Sequence, residues 1–328
     1  MTLPGVRIAT LVAVVLCLAA CATSPAGERY GRWSYVQTPI DDADPAYWWT
    51  TLVGVPGAQS NAPGLGAGAT VAIVGTGVLK GHEDLEVVLP GVATCGSQDT
   101  NDEDNGHGTQ LAGIAVGRQN GKSTRGVAPK AALLPIKVDC AVVTADALTK
   151  GVDAAIALKP NVILMAFGGY PSGVPEFMLK RVTDNPEILF VIASAWDGTH
   201  YPYPPWTRVK NVLVVAAMTL DASAQDIRKI DPKKEIPYST RRGDIWAPGR
   251  SVGTADIAPD PAANPHDQFL MHGTSPASAI VAGCAALVAS KTGAKGAALR
   301  DALVDKADNN SDLGPAPNGR LNCAKAVP

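Results

Sequence analysis

The sequence contains few charged residues and has almost no net charge. Asp, Glu, Lys and Arg make up 18% of its 328 residues, whereas an average soluble domain has roughly 25%. Disordered chains are rich in charge and poor in apolar residues, so an apolar content of 46% predicts a chain that folds around a sizeable core. With 28 basic and 30 acidic residues, the chain lacks the positive field that neutralises phosphates. This argues against nucleic acid as a partner.

The N-terminal hydrophobic run is too short to span a membrane. Ile8–Ala20 follows Arg7 and has thirteen mostly apolar residues, whereas a spanning helix needs about 20. A short apolar run after a basic residue is typical of a signal peptide that is removed from the mature protein. We therefore expect the chain to be exported.

The end of this run suggests a lipid anchor. Leu18-Ala19-Ala20-Cys21 resembles the lipobox of bacterial lipoproteins, in which the cysteine becomes the lipidated first residue. We predict a lipoprotein signal peptide at 1–20, a lipidated N terminus and tether at 21–45, and a folded domain at 46–328. Ala22 after the cysteine favours the outer membrane and periplasm of the cell envelope. The alternative is an ordinary signal peptide cut after an Ala-x-Ala-like site.

Short apolar runs alternate with helical patterns along the rest of the chain. The runs with the length of buried strands are Thr70–Val74, Ala132–Val138, Val162–Met165, Ile188–Ala193 and Val212–Ala216. The helical patterns are Ala145–Leu158, Pro175–Asn185, Thr274–Lys291 and Lys295–Asp308. This alternation predicts an α/β fold, a mostly parallel central sheet with helices on both faces. Ligand chemistry then belongs at the carboxyl ends of the strands.

Three glycine-rich segments occur in a fixed order along the chain: VAIVGTG at 71–77, NGHGTQLAG at 105–113 and HGTSPAS at 272–278. They are accompanied by HEDL at 82–85, GVAP at 126–129, FGG at 167–169 and WAPG at 246–249. Together these segments resemble the subtilisin-like serine peptidases, the subtilase family, from about residue 46 to the C terminus. The resemblance implies that family's three-layer fold and a peptide or protein segment as the bound partner.

The resemblance also implies acyl-transfer chemistry. Ser275 matches the nucleophile and His107 the general base, which an aspartate normally orients. Ser275 opens an apolar helix, whose N terminus favours a developing negative charge. The alternatives are a plain helix cap for the serine and a structural role for the histidine.

Two positions depart from the family's pattern where its chemistry needs a side chain. Gly75 stands where the family has the triad aspartate, and Trp196 stands where an asparagine donates to the oxyanion. Pro276 follows the nucleophile in place of methionine and restricts the backbone of Ser275. We therefore expect catalysis to be impaired.

The resemblance assigns a peptide-binding groove beside the serine. The matching positions are Ala166, Phe167, Gly168, Gly169, Ala193, Ser194 and Ala195. Ala166 replaces the usual serine beside the edge strand, and Ala195 replaces a glycine that leaves room for a substrate side chain. An extended peptide could add a strand at this edge.

Two main hypotheses for function follow. The first is an envelope pseudopeptidase that keeps the groove and uses it for binding. The alternative is a working serine endopeptidase in which Ser275 and His107 act with a rebuilt site, where Asp102, Glu103 or Asp104 is the candidate replacement carboxylate. A third hypothesis is an esterase-like activity on an activated acyl group, which demands less of the catalyst than an amide.

The resemblance further implies a metal site and two disulfides. Asp84 and Asn120 match positions that ligate a structural calcium, although a turn cap and a loop tip are the alternatives. No cofactor is required, and no spacing of His and Cys indicates zinc. Once Cys21 carries lipid, four cysteines are left in an oxidising compartment. Their spacing allows three pairings, of which the family fold favours Cys95 with Cys140 and Cys284 with Cys323, with buried free thiols as the alternative.

Overall fold

The structure, a computed structural model, describes most of the chain from residue 47 onward. The described residues are 47–96, 99–102, 105–121, 124–167, 174–194, 205–220, 235–239, 243–255, 257, 268–309, 313 and 319–328. All of them belong to one compact unit, residues 35–328. The predicted signal peptide, Cys21 and the tether lie outside the described residues, so those boundaries stay predictions.

A mostly parallel sheet forms the centre of the described unit. Its strands are β1 (Thr70–Gly75), β2 (Val92–Ala93), β3 (Ala132–Lys137), β4 (Val162–Met165), β5 (Leu189–Ala193), β6 (Val212–Leu220), β7 (Glu235–Pro237) and β8 (Ile245–Pro248). They pair in the order β2-β3-β1-β4-β5-β6-β7, and β8 pairs with β6. All of these pairs are parallel except β6 with β7. A separate antiparallel pair consists of β9 (Val252–Ala255) and β10 (Gln268–Met271).

Helices cover both faces of this sheet. They are α1 (Trp48–Leu52), α2 (Val55–Asn61), α3 (His107–Val116), α4 (Ala145–Ala157), α5 (Val174–Asp184), α6 (Thr274–Thr292), α7 (Gly296–Val304) and α8 (Cys323–Ala326). A short 3-10 helix lies at Pro205–Arg208. Buried side chains of α3 and α6 pack on one face of the sheet, and those of α4 and α5 pack on the other.

Alternate residues of each central strand supply these two cores, because successive side chains of a strand point to opposite faces. In β1, Val71 and Ile73 belong to the α3 and α6 core, whereas Ala72 and Val74 belong to the α4 and α5 core. Every one of these residues is apolar because both faces are covered. The predicted fold class is therefore confirmed.

The predicted elements differ most from the observed ones at β6, α7 and α3. The expected strands are all present, but β6 continues to Leu220, four residues beyond the predicted Ala216. The helix α7 is shorter than the predicted Lys295–Asp308. The helix α3 was not predicted, because Gly106 directly precedes it and Gly108 lies in its first turn, and glycines so placed are typical of a loop.

The helix α6 is buried on all sides and packs tightly against α3. Within the part of the chain that the structure describes, no single helix has the length and apolar character that crossing a membrane requires. Only the bent pair of α6 with α7 meets the criteria of length and composition.

Gly283 of α6 lies so close to α3 that an added Cβ would come within 2.7 Å of the Ala115 carbonyl oxygen. Small residues at the crossing let the two helices that carry Ser275 and His107 approach each other.

Two disulfides tie this architecture together, and both predicted pairings are confirmed. Cys95 is bonded to Cys140 at the carboxyl ends of β2 and β3. Cys284 of α6 is bonded to Cys323 of α8, where both residues are buried. The first bridge fixes a loop beside the site, and the second holds the C terminus on the core.

We predict that Gly283→Ala destabilises the fold. The new methyl group would overlap the Ala115 carbonyl and Val127, so the free energy of unfolding should fall by about 2 kcal/mol, despite the better helix propensity of alanine. Gly64→Ala is the matched control, since only the Ser290 hydroxyl, at 3.9 Å, lies near its added Cβ. Denaturant unfolding of the full-length chain in detergent measures both. Equal stability of the two variants would contradict the close packing of α3 and α6.

Candidate active site

Ser275 lies in the first turn of α6, at the carboxyl edge of the sheet. The helix follows Gly273, whose φ of 117° is open to glycine but strained for other residues. The side chain is partly exposed, and its Oγ donates to the Ala166 carbonyl at 3.4 Å. Among the described residues, no hydrogen bond joins it to His107. The serine is therefore in place at the strand ends, but its proton faces β4.

His107 is the first residue of α3, and its ring is half-buried. Its backbone amide donates to Asn105 Oδ1 at 3.2 Å, and its ring makes no hydrogen bond to the side chains that the structure describes. Burial lowers the pKa of His107 below its usual value, while the charges of Asp102 and Asp139 oppose that shift. The imidazole is therefore neutral at pH 7, the form that can accept a proton.

Asp102 holds the start of α3 rather than the ring of His107. Its Oδ1 accepts from the Gly106 amide at 3.0 Å. Its Oδ2 accepts from the Thr76 hydroxyl at 2.9 Å, and from the Thr109 hydroxyl at 3.2 Å and the Thr109 amide at 3.3 Å. A buried carboxylate at a helix N terminus satisfies amides that have no partner within the helix. Because both oxygens are occupied in this way, Asp102 does not replace the triad aspartate.

Gly75 ends β1 and leaves open space on its side-chain face. A Cβ built on Gly75 would have no described heavy atom within 4 Å. Its carbonyl accepts from the amides of Val138 at 2.8 Å and Asp139 at 3.2 Å. The residue keeps its place in the sheet, but it offers no carboxylate to orient His107.

The described residues of the predicted groove lie along the same edge. Ala166 and Phe167 directly follow β4, Ala193 is the last residue of β5, and Ser194 follows it. The buried Ser194 donates its amide to the Val215 carbonyl at 2.9 Å. Because β4 and β5 are neighbours, these residues lie together at the carboxyl ends of the strands, and their role in binding a peptide stays a prediction.

Several predicted site residues lie outside the described residues. They are Trp196, Gly168, Gly169, Ala195, Glu103, Asp104 and Cys21. Their roles stay predictions.

The two predicted calcium ligands do come together. Asp84 is buried, and its Oδ1 accepts from Asn120 Nδ2 at 2.7 Å. As placed, the Asn120 amide donates to the Asp84 carboxylate, and the Arg118 guanidinium donates to the neighbouring Glu83 carbonyl, so Asp84 and Asn120 bond directly to each other. The described residues contain no group of three or more His, Cys, Asp or Glu that could hold a metal ion. The calcium role stays a prediction.

A second histidine near the serine has a structural setting. His272 Nδ1 accepts from the Ser251 amide at 3.3 Å. Burial, with a smaller contribution from Arg250, lowers the pKa of His272 to about 4. The ring is therefore neutral at pH 7 and supports the turn that leads into α6.

The sequence analysis missed two residues beside His107. The Thr76 hydroxyl accepts from the Gly108 amide at 2.9 Å while it donates to Asp102, so it links the end of β1 to α3. Asp139 lies just beyond β3, and its charge acts on His107. The available signals were a hydroxyl inside the first glycine-rich segment and a charged residue directly after an apolar strand.

Comparison with known proteins agrees with this geometry. The model of the subtilase family matches residues 66–320. Subtilisin DY of Bacillus licheniformis is 30% identical over 274 residues, which cover 80% of this chain and 92% of that protein. Thermitase of Thermoactinomyces vulgaris is 30% identical over 268 residues, which cover 80% of this chain and 89% of that protein.

Solved structures show the same fold at lower identity. The MycP3 protease from the type VII (ESX-3) secretion system has a TM-score of 0.65 and 22% identity, and the match covers 89% of this chain and 91% of that one. MycP1 with its N-terminal propeptide removed has a TM-score of 0.64 and 19% identity, with 86% and 96% covered. At these identities the match supports the fold alone.

We predict that Asp102→Ala destabilises the chain by about 2–4 kcal/mol, because it leaves buried amides and hydroxyls without their acceptor. Asp99→Ala is the matched control in the same segment, since Asp99 forms an exposed ion pair with Lys80, and its effect should be much smaller. Denaturant unfolding of the full-length chain in detergent compares the two. Similar losses in both variants would show that Asp102 does not anchor α3.

Proposed function

This chain is a member of the subtilase family of serine peptidases, and we propose that it acts in the cell envelope mainly by binding an extended peptide or protein segment. In this proposal the groove is kept and peptide hydrolysis is strongly impaired. The observation that carries it is at the end of β1. There Gly75 faces open space, and no described carboxylate hydrogen-bonds to the ring of His107.

The size of the expected loss supports binding over turnover. In subtilisin, removing the triad aspartate alone lowers kcat by roughly 3 × 10⁴-fold, and removing the side-chain oxyanion donor lowers it by roughly 10²- to 10³-fold. If the two effects add, they remove about 9 kcal/mol of transition-state stabilisation. Gly75 replaces the first group, and Trp196 stands at the second by resemblance.

The setting of Ser275 is consistent with this loss. A nucleophilic serine must pass its proton to a base, yet the Oγ of Ser275 donates to the Ala166 carbonyl. Pro276 follows directly and restricts the backbone that aims the hydroxyl. The serine therefore lies in the groove without the contact that would activate it.

The groove itself supports the binding role. The carboxyl ends of β4 and β5 carry Ala166, Phe167, Ala193 and Ser194 beside Ser275. Ala166 and Phe167 continue β4 beyond Met165, its last paired residue. The main chain of this continuation can pair with an extended peptide, and alternate side chains then give specificity. Binding of this kind needs the sheet edge but not the missing aspartate.

One observation favours the alternative of a working endopeptidase. Burial keeps His107 neutral, which is the protonation state that a general base needs. A residual Ser-His pair would then act slowly, most readily on activated esters.

An organophosphorus serine reagent followed by intact-mass analysis separates these functions. We expect the full-length chain in detergent to react at Ser275 little faster than the Ser275→Ala background. Gly75→Asp should react at least about tenfold faster, because the space beside Gly75 admits a carboxylate that can orient and charge-stabilise His107.

Two outcomes of this experiment would count against the proposal. Rapid, complete labelling of the parent that disappears in His107→Ala would establish an activated serine and favour the endopeptidase. Specific peptide cleavage that is lost in Ser275→Ala would do the same.

The proposal includes a lipid anchor at Cys21. In a bacterial host, the parent should incorporate labelled fatty acid and fractionate with membranes, and Cys21→Ser should lose the lipid. Cys17→Ser is the matched control, because Cys17 lies inside the predicted signal peptide. Lipid incorporation that persists in Cys21→Ser would remove the anchor from the proposal and leave an ordinary exported protein.

A further inference from the structure

The backbone of Asp139 contacts Gly75, the last residue of β1. It follows β3, the neighbour of β1, and its amide donates to the Gly75 carbonyl at 3.2 Å. The end of β1 continues to Thr76, which accepts from the amide of Gly108, the residue after His107. Hydrogen bonds to the Gly75 carbonyl and to the Thr76 hydroxyl therefore connect Asp139 and the start of α3 through the end of β1.

Among the described residues, no cationic side chain pairs with the carboxylate of Asp139. Its Oδ1 accepts from the Ala141 amide at 3.3 Å, and no ion pair involves it in the part of the chain that the structure describes. Lys137, which shares its side of the strand, donates instead to the Asn101 carbonyl. His107 is neutral and Asp102 carries no positive charge, so neither residue neutralises the negative charge of Asp139. Asp139 is thus a half-buried charge with spare acceptor capacity.

The loop that carries this charge is held in place. Cys140, the next residue, is bonded to Cys95. Thr94, beside that bridge, donates its hydroxyl to the Ala147 carbonyl at 2.7 Å. A charge on a fixed loop costs little further ordering when a ligand binds, which favours a recognition role.

The sheet places Asp139 within reach of a peptide that contacts Ser275. Met165 and Ile136 both pair with Val74 of β1, so Ala166 lies level with Lys137, two residues before Asp139. Two strand spacings and two residue rises therefore separate Asp139 from Ala166, a distance of about 12 Å. The Oγ of Ser275 contacts the Ala166 carbonyl. An extended chain rises about 3.3 Å per residue, so a side chain that meets Asp139 belongs within about four residues of the one beside Ser275.

We propose that Asp139 is a specificity-determining residue that selects a lysine or arginine side chain in the bound segment. The inference rests on the proposed peptide-binding function and names the class of peptide. A charge-assisted hydrogen bond to a basic side chain should give roughly tenfold tighter binding than a neutral side chain of similar length.

Labelled peptide pools test this proposal. The pools are ten-residue fluorescein-labelled peptides with blocked ends, randomised except for a central residue fixed as Arg, Gln or Glu. Binding to the full-length chain in detergent, in a Ser275→Ala background that prevents cleavage, is measured by fluorescence anisotropy. We expect the Arg pool to bind about tenfold more tightly than the Gln pool, and the Glu pool to bind most weakly.

Variants assign the preference to one side chain. Asp139→Asn keeps an acceptor for the Ala141 amide and should remove the difference between the Arg and Gln pools, whereas Asp139→Lys should reverse it in favour of Glu. Asp184→Asn makes the same change of net charge on α5, where Asp184 pairs with Lys180, and should leave the preference intact. Circular dichroism checks that each variant is folded.

The outcomes separate this inference from the function on which it rests. Binding without charge preference, or a preference for Arg that persists in Asp139→Asn, would overturn the role of Asp139 and leave the binding function standing. If no pool binds, both fall. If Asp139→Asn instead slows organophosphorus labelling of Ser275, the carboxylate acts on His107 as a positioning residue and the specificity role is wrong.

Discussion

Close packing of α6 against α3 and the sheet is the constraint on which the rest of the structure depends. Gly283 brings α6 up to the backbone of α3 near Ala115, so there is little room for either helix to shift. Since Ser275 and His107 lie in the first turns of these two helices, the same packing fixes where both side chains start. The packing of the core therefore positions the site without any contact between Ser275 and His107.

This separation of scaffold from chemistry explains how a subtilase fold tolerates glycine at the end of β1. The Gly75 carbonyl still accepts two amides from the end of β3, and Asp102 still satisfies the N terminus of α3. A Cβ at position 75 would meet no described atom within 4 Å, so a carboxylate there would add no contact to the core. Glycine at this position therefore leaves the fold intact.

Much of the fold was predictable because a strand that is covered by helices on both faces is apolar at nearly every position. The buried strands were visible as unbroken apolar runs, and the order of the glycine-rich segments indicated the family. The helix α3 was not predicted, because glycines at its start indicate a loop. The amides there are satisfied by the side chains of Asp102 and Thr76 and not by a side-chain cap at Gly106. The continuation of β6 to Leu220 depends on pairing with β7 and β8, which no local pattern reveals.

The sequence by itself determined the family, the central sheet, and the identity of Ser275, His107 and Gly75, since each rests on residue type and order along the chain. Only the tertiary structure decided which contacts each acidic residue makes. Asp102 and Asp139 look alike in sequence, yet backbone amides and hydroxyls converge on Asp102. The carboxylate of Asp139, among the described residues, accepts one hydrogen bond, from the Ala141 amide. The energy of a carboxylate depends on the donors and charges around it, and those come from segments far apart in the chain.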